Sequence, residues 1–349
     1  MTKKLEVKNL TVTFRTAGGT VQAVRDISFD LHRGRTLAIV GESGSGKSVT
    51  SRAIMGLLAG NATIEGGQIL LDGQDLLQLS DARWCDIRGK RIAMIFQDPL
   101  SCLNPVMQVG RQIAEAIRLN QRANGGKRFS RAQAREKAVK LMGEVGIPDP
   151  ERLFDSYPFA FSGGMRQRIV IAIALASDPE ILICDEPTTA LDVTIQAQIL
   201  ELINRLKRER HLSVIFITHD LGVVANVADD IAVMYAGKIV EYGTAEDIFY
   251  DPRHPYTWAL LTSMPDLDTV DRLESIPGTP PDMTVPPVGD AFAARNRYAL
   301  EIDFLQQPSM FPVSQTHMAA TWLLHPYAPK VERPAALTRR IQRATGGTP

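Results

Sequence analysis

The chain has 349 residues, 44% of them hydrophobic, with 39 basic and 39 acidic side chains and a formal net charge of zero. That length holds one large domain or two with ample core, and the balanced charge excludes a nucleic-acid binder that works through a global basic field. The three cysteines, Cys85, Cys102 and Cys184, have no CxxC spacing, so a reducing compartment is expected and a disulfide framework is not.

The N-terminus, MTKKLEVKNLTVTF, alternates apolar and polar residues from Leu5 to Phe14, which predicts a strand with one wet face. It has no apolar h-region, so no signal peptide is expected. TLAIVG, residues 36–41, is a short continuous apolar run of the kind found in strands buried on both faces. It leads into GESGSGKS, residues 41–48, which fits the phosphate-loop pattern G-x-x-x-x-G-K-S/T and precedes a predicted helix, SVTSRAIMGLL. Here Gly41, Glu42, Ser43, Gly44, Ser45, Gly46, Lys47, Ser48 and Val49 are the candidate ATP-binding residues. Glycines let backbone N–H groups wrap a phosphate without Cβ clashes. Lys47 reaches the β- and γ-phosphates, and the Ser48 hydroxyl is a ligand for Mg²⁺.

A second buried run, IAMIFQD, spans residues 92–98. From 98 to 165 the texture is helical, with apolar residues at helical spacing in QVGRQIAEAIRLNQ and RAQAREKAVKLMGEVG. FSGGMRQR, residues 161–168, then opens a helix: Ser162 caps it, and the amides of Gly163 and Gly164 point outward toward an anion. A plain helix cap is the alternative. IVIAIALA, residues 169–176, is too short to cross a bilayer, which takes ~20 residues, so any membrane role is expected to be peripheral.

ILICDEP, residues 181–187, delivers Asp185 and then Glu186 from the end of a buried strand. Beside a phosphate loop, this places Asp185 to hold Mg²⁺ and Glu186 to orient or deprotonate the attacking water. VIFITHD, residues 214–220, is the fourth buried run. SIPGTPPDMTVPPVG, residues 275–289, carries five prolines and is expected to be extended. The tail PAALTRRIQRATGGTP has three arginines and no acid, and a frayed, solvated end is expected there.

In order, GESGSGKS, Gln97 in FQDP, FSGGMRQR, ILICDEP, TTALD (188–192) and ITHD with His219 resemble the nucleotide-binding subunits of ABC transporters, over roughly residues 1–245. The resemblance implies an α/β fold: a P-loop ATPase with a RecA-like parallel sheet and an antiparallel β-subdomain, a helical insert, and a C-terminal extension. The implied boundaries are 1–97 with 166–245 for the ATP-binding core, 98–165 for the helical signature subdomain, and 246–349 for the extension.

In this family two such domains dimerise head to tail, so that FSGG of one covers the γ-phosphate bound by the other. That assigns Ser162, Gly163 and Gly164 to the partner's nucleotide and Asp192 to the dimer seam. It makes Gln97 a Mg²⁺ contact that senses the membrane partner, and His219 a γ-phosphate contact. Phe14 is either the aromatic that stacks adenine or a core residue. Met165 stands where the family usually has glutamine, so a polar contact from that side chain is lost.

HPYTWALL (254–261), IPGTPP (276–281) and FQDPLSCLNPV (96–106) are similar to stretches of the ATPases of oligopeptide and dipeptide importers, closest to the D-type ATPase of oligopeptide permeases. The partners so implied are a second ATPase, expected to be a paralogue in a heterodimer, two transmembrane permease subunits, and an extracellular peptide-binding protein reached through the complex. The place implied is the cytoplasmic face of the cell membrane. Dipeptide and nickel importers are the alternatives within the family. A translation or repair ATPase would carry a second cassette or a coiled coil, and a P-loop kinase would not need FSGG or TTALD.

Some relatives place four cysteines in the extension, consistent with an iron–sulfur cluster. The matching positions here are Asp290, Asn296, Asp303 and Thr321, none a thiolate, so no cluster is expected. Asp290 and Asp303 are expected to be solvated surface acids, with binding of a hard cation as the alternative.

Overall fold

The computed structural model describes residues 2–123, 129–189, 191–264 and 276–344, with only the backbone of Leu100 and residues 120–123. Ala190 of TTALD, Ser275 and residues 345–349 of the tail lie outside the described residues. Chain contacts divide the protein into two units: Met1–Lys4, Leu31–Arg35 and Asp75–Ile217 form the first, and Leu5–Asp30, Thr36–Gln74 and Thr218–Pro349 the second.

In the first unit the strands Ile92–Ile95, Ile181–Asp185 and Ser213–Thr218 run parallel in that order, with Ile92 opposite Ile181 and Ile181 opposite Ser213. Every residue in them is buried, as their unbroken apolar runs require. The start of the middle strand is pinned by Glu180, which accepts hydrogen bonds from Arg91, at 2.8 Å from Nε, and from Lys4. These bonds from Arg91 and Lys4 outweigh burial and draw the Glu180 carboxyl down to about 2. The helical stretch resolves into Val109–Ala123 and Arg131–Glu144, the latter opened by a capping box of Ser130 and Gln133. The signature helix Gly163–Leu175 and the helix Val193–Arg210 follow.

In the second unit Thr36–Val40 runs parallel to Asp230–Tyr235, with Leu37 opposite Asp230. Lys238–Thr244 folds back antiparallel, and the short strands Met318–Ala319 and Phe311–Pro312 extend that edge. A separate antiparallel sheet holds Gly19–His32, Lys3–Thr16 and Ala62–Leu71. The strand Asp230–Tyr235 is wholly buried, yet its sequence DIAVMY opens on an acid. The neighbouring Asp229 has a local task, accepting the Thr36 amide at 2.7 Å.

Three features differ from the sequence expectations. The helix after the phosphate loop is short, Lys47–Ile54, because Gly56 takes a φ of 61° and the chain closes with Leu57 N donating to Arg52 O at 2.8 Å. This 6→1 bond is the signature of a glycine helix stop. The basic tail is a helix, Ala335–Ala344, anchored by Leu337 at 1% exposure. Arg340 Nη1 donates to the carbonyls of Leu261 at 2.9 Å and Met264 at 3.3 Å, around the end of helix Pro255–Thr262, where a cation satisfies orphan acceptors. Asp290 and Asp303 are buried, at 4% and 2% exposure, and not solvated. The proline-rich residues 276–289 form neither helix nor strand, in line with their composition. Among the described residues no helix is long and apolar enough to cross a membrane.

Candidate functional site

The phosphate loop of the second unit is packed backbone against backbone. Gly41 has a φ of 155° and Gly46 one of 103°. A Cβ on Gly41 would lie 2.1 Å from Met234 O, and one on Gly46 would lie 2.5 Å from Ala23 O. Glycine is therefore fixed at both positions by contact as well as by dihedral. Gly237 N donates to Ser45 O at 3.0 Å, tying the loop to the turn after strand Asp230–Tyr235. Lys47 is 4% exposed, and its Nζ donates to Gly41 O at 2.7 Å and Glu42 O at 2.8 Å. Ser48 and Val49 follow in the first turn of helix Lys47–Ile54, with Thr50 N donating to Gly46 O at 2.9 Å. Ser43 and Gly44 are exposed at the loop tip. Gly46→Ala is expected to destabilise the chain by roughly 3 kcal/mol or more, because strain at φ and a backbone clash add. A melt that matches the wild type would contradict this packing.

Phe14 is half-buried on strand Lys3–Thr16, opposite Ala62. His219 is exposed one residue past the strand Ser213–Thr218, and the next residue, Asp220, caps a turn of helix by accepting Gly222 N at 2.8 Å.

In the first unit Asp185 ends its strand at 4% exposure. Glu186 takes a left-handed φ of 49°, a conformation that costs a non-glycine residue about 1 kcal/mol or more and turns it out of the strand line. Its N–H is held by Ile217 O at 2.9 Å. Glu186 Oε2 accepts from Gln97 Nε2 at 3.2 Å and from Thr189 Oγ1 at 3.0 Å. Two predicted residues, Gln97 and Glu186, are thus in contact, and Thr189 joins them. Nothing in the sequence separated Thr189 from the rest of TTALD.

The signature helix opens at Gly163, two residues before its apolar pattern begins, with Ser162 Oγ accepting Met165 N at 3.4 Å. Ser162 and Gly163 are exposed and Gly164 is buried; a Cβ on Gly164 would sit 2.6 Å from Ile195 Cγ2. Ile195 N in turn donates to Asp192 Oδ1 at 3.0 Å, which caps helix Val193–Arg210. The signature turn and the Asp192 cap are therefore locked to each other by packing. The arginines of MRQR are occupied internally: Arg166 Nε donates to Pro158 O at 2.9 Å and Arg168 Nη1 to Val145 O at 2.7 Å.

In the extension, the four positions matched to cysteines have capping roles. Asp290 Oδ1 accepts Phe292 N at 3.1 Å, Asp303 Oδ2 accepts Leu300 N at 2.7 Å, and Thr321 Oγ1 accepts Leu323 N at 3.3 Å. Asn296 Oδ1 accepts Tyr298 N at 2.9 Å. Oxygen donors of this kind do not fit an iron–sulfur cluster. Iron and sulfide analysis of protein purified without oxygen is expected to find neither; stoichiometric amounts would refute this.

Burial pushes the Asp290 carboxyl up to about 6, and burial holds the nearby His254 neutral, down to about 3. Between about pH 4 and pH 6 the unfolded Asp290 is ionised while the folded one keeps its proton, so its contribution to stability falls as pH rises through that window and stays low above it. Asn keeps the bond from Phe292 N without a charge. Asp290→Asn is expected to raise stability above pH 7 by on the order of 2 kcal/mol and to change little near pH 4. Melts of both proteins across that range check it, and an equal effect at both ends would contradict it.

The ABC transporter family pattern matches residues 24–189, and the pattern of the oligopeptide/dipeptide transporter C-terminal region matches residues 240–302. The dipeptide transport ATP-binding protein DppD of Lactococcus lactis subsp. cremoris is 61% identical over 330 residues, 94% of this chain and 93% of that protein. The oligopeptide transport ATP-binding protein OppD of Bacillus subtilis is 57% identical over 346 residues, 98% of this chain and 95% of that one, so the likeness includes the extension. Among solved structures, the ATP-binding cassette MJ0796, a dimer in a post-hydrolysis state bound to ADP and Pi, superposes with a TM-score of 0.60 at 26% identity, covering 69% of this chain and 98% of that one. The fold is that of an ABC-type P-loop ATPase, and the chain belongs to the ABC transporter family.

Proposed function

We infer that this chain is the ATP-hydrolysing subunit of an ABC importer that powers the uptake of oligopeptides. The observation that carries this is the 57–61% identity to peptide-transport ATP-binding proteins along nearly the whole chain, C-terminal region included. Dipeptide uptake is the second reading, favoured by the relative at 61%.

ATP is assigned to Gly41–Val49, with Lys47 exchanging its bonds to the Gly41 and Glu42 carbonyls for phosphate oxygens. Phe14, half-buried, is retained as an adenine contact or a core residue. From the sequence motifs, Mg²⁺ is assigned to the oxygen donors Ser48, Gln97 and, through water, Asp185, where it would neutralise phosphate charge. Glu186 accepts or polarises the attacking water's proton, with Gln97 and Thr189 orienting its carboxylate. His219 is assigned to the γ-phosphate. Ser162, Gly163 and Gly164 are assigned to the nucleotide of a second ATPase subunit, supported by the exposure of Ser162 and Gly163 at the helix start, and Asp192 to the seam between the two.

Division of the reactive groups between two chains makes hydrolysis wait for assembly, as an arginine finger in trans does. The functional parts are drawn at 1–97 with 166–245, at 98–165 and at 246–349. The second ATPase is a paralogue, the membrane partners are two transmembrane permease subunits, this chain sits peripherally at the cytoplasmic face of the cell membrane, and cargo is chosen by an extracellular peptide-binding protein. Within the helical part, Phe159 is 76% exposed and stacked on Tyr157 at 5.8 Å, and Val106 is separately 82% exposed; exposed apolar side chains of this kind suit a protein partner. Intact-complex mass spectrometry after purification from membranes through this subunit is expected to show two ATPases and two permeases. Recovery without integral membrane proteins, together with unchanged peptide uptake in cells lacking the chain, would contradict the assignment.

A further inference from the structure

The second residue of the phosphate loop is gripped at three points. The Glu42 amide donates to Tyr256 Oη at 2.9 Å. The Glu42 carboxylate is paired with Arg295, from Nη1 to Oε2 at 2.7 Å and from Nη2 to Oε1 at 3.1 Å. The Glu42 carbonyl accepts Lys47 Nζ at 2.8 Å. Two of these three grips come from the C-terminal region, more than two hundred residues away in sequence.

The gripping groups are themselves fixed. Arg295 is 8% exposed and also donates to Pro277 O, at 2.7 Å from Nε, and to Tyr235 Oη, at 3.1 Å from Nη1. Tyr256 is fully buried, its amide held by His254 Nδ1 at 3.0 Å. Its ring packs on Tyr235 at 4.6 Å and on Phe292 at 5.2 Å. A bidentate guanidinium–carboxylate pair fixes orientation as well as distance. It also answers an electrostatic need: a bare carboxylate inside a phosphate-binding loop would repel the nucleotide, and Arg295 neutralises it.

We propose that Arg295 and Tyr256 are positioning residues for nucleotide binding, which hold Glu42, and through it Lys47, in the geometry that receives phosphate. The C-terminal region is then a working part of the nucleotide site. The proposal rests on the assignment of ATP to residues 41–48.

The test is titration of the full chain with a fluorescent ADP analogue and Mg²⁺, with the Michaelis constant for ATP measured in the assembled complex. Arg295→Gln leaves Glu42 unpaired and is expected to weaken ADP binding about tenfold or more, raising KM while kcat stays within about twofold. Arg295→Lys is expected to recover part of the loss. Adding Glu42→Gln to Arg295→Gln removes the stranded charge and is expected to bring affinity back to within about threefold of Glu42→Gln alone. A merely structural tail would show no such rescue. Tyr256→Phe keeps the ring and deletes only the hydroxyl, and is expected to weaken binding by about three- to tenfold. It carries the test if Arg295→Gln does not fold. Wild-type affinity in Tyr256→Phe and in whichever Arg295 variants fold, with Lys47→Ala unable to bind, would overturn the proposal and leave the nucleotide assignment standing. Wild-type affinity in Lys47→Ala would overturn both.

Discussion

Glu186→Gln is expected to lower ATP turnover by about 10³-fold and to leave the protein as an ATP-bound dimer. The geometry favours a clean result. Glu186 emerges from its strand at a left-handed φ of 49°, and its side-chain oxygen already accepts bonds from Gln97 and Thr189. Glutamine keeps an oxygen for those bonds but cannot take a proton from water, so binding survives and chemistry stops. Turnover measured beside size-exclusion chromatography in saturating ATP and Mg²⁺ reads both halves of the claim. Wild-type turnover would show that another group is the base.

Lys47→Ala is expected to abolish nucleotide binding, a loss of at least about 100-fold in affinity, since charge-assisted bonds to phosphate are among the strongest a side chain makes. Lys47 is buried and holds the carbonyls of Gly41 and Glu42, so the variant also strands two acceptors and is expected to melt lower. Isothermal titration with ATP and ADP, run with a thermal melt, separates the two effects. A folded variant that binds ATP as the wild type does would remove residues 41–48 from the site.

Much of this was legible because the informative residues are local patterns. The run TLAIVG ending in GESGSGKS fixes a buried strand and a loop whose glycines are required by φ and by contact with Met234 and Ala23. Ser162 reads as a helix cap from its neighbours alone. What escaped depended on long-range contact. DIAVMY is a core strand although it opens on an acid. The basic tail looked frayed because nothing nearby announces that Arg340 will meet the carbonyls of Leu261 and Met264. Asp290 and Asp303 read as surface acids because burial of a capping carboxylate is a property of the packed chain. Tyr256 lay in a stretch already notable, HPYTWALL, yet its tie to Glu42 spans 214 positions. Arg295 had no motif at all.

On the proposed assignment two chains complete each nucleotide site, one through its phosphate loop and the other through its glycine-capped helix. ATP turnover per mole of the purified ATPase pair, followed as the proteins are diluted at saturating ATP, tests it most directly. Specific activity is expected to fall steeply toward zero as the pair dissociates. A specific activity that stays constant down to concentrations where light scattering shows only monomers would contradict it.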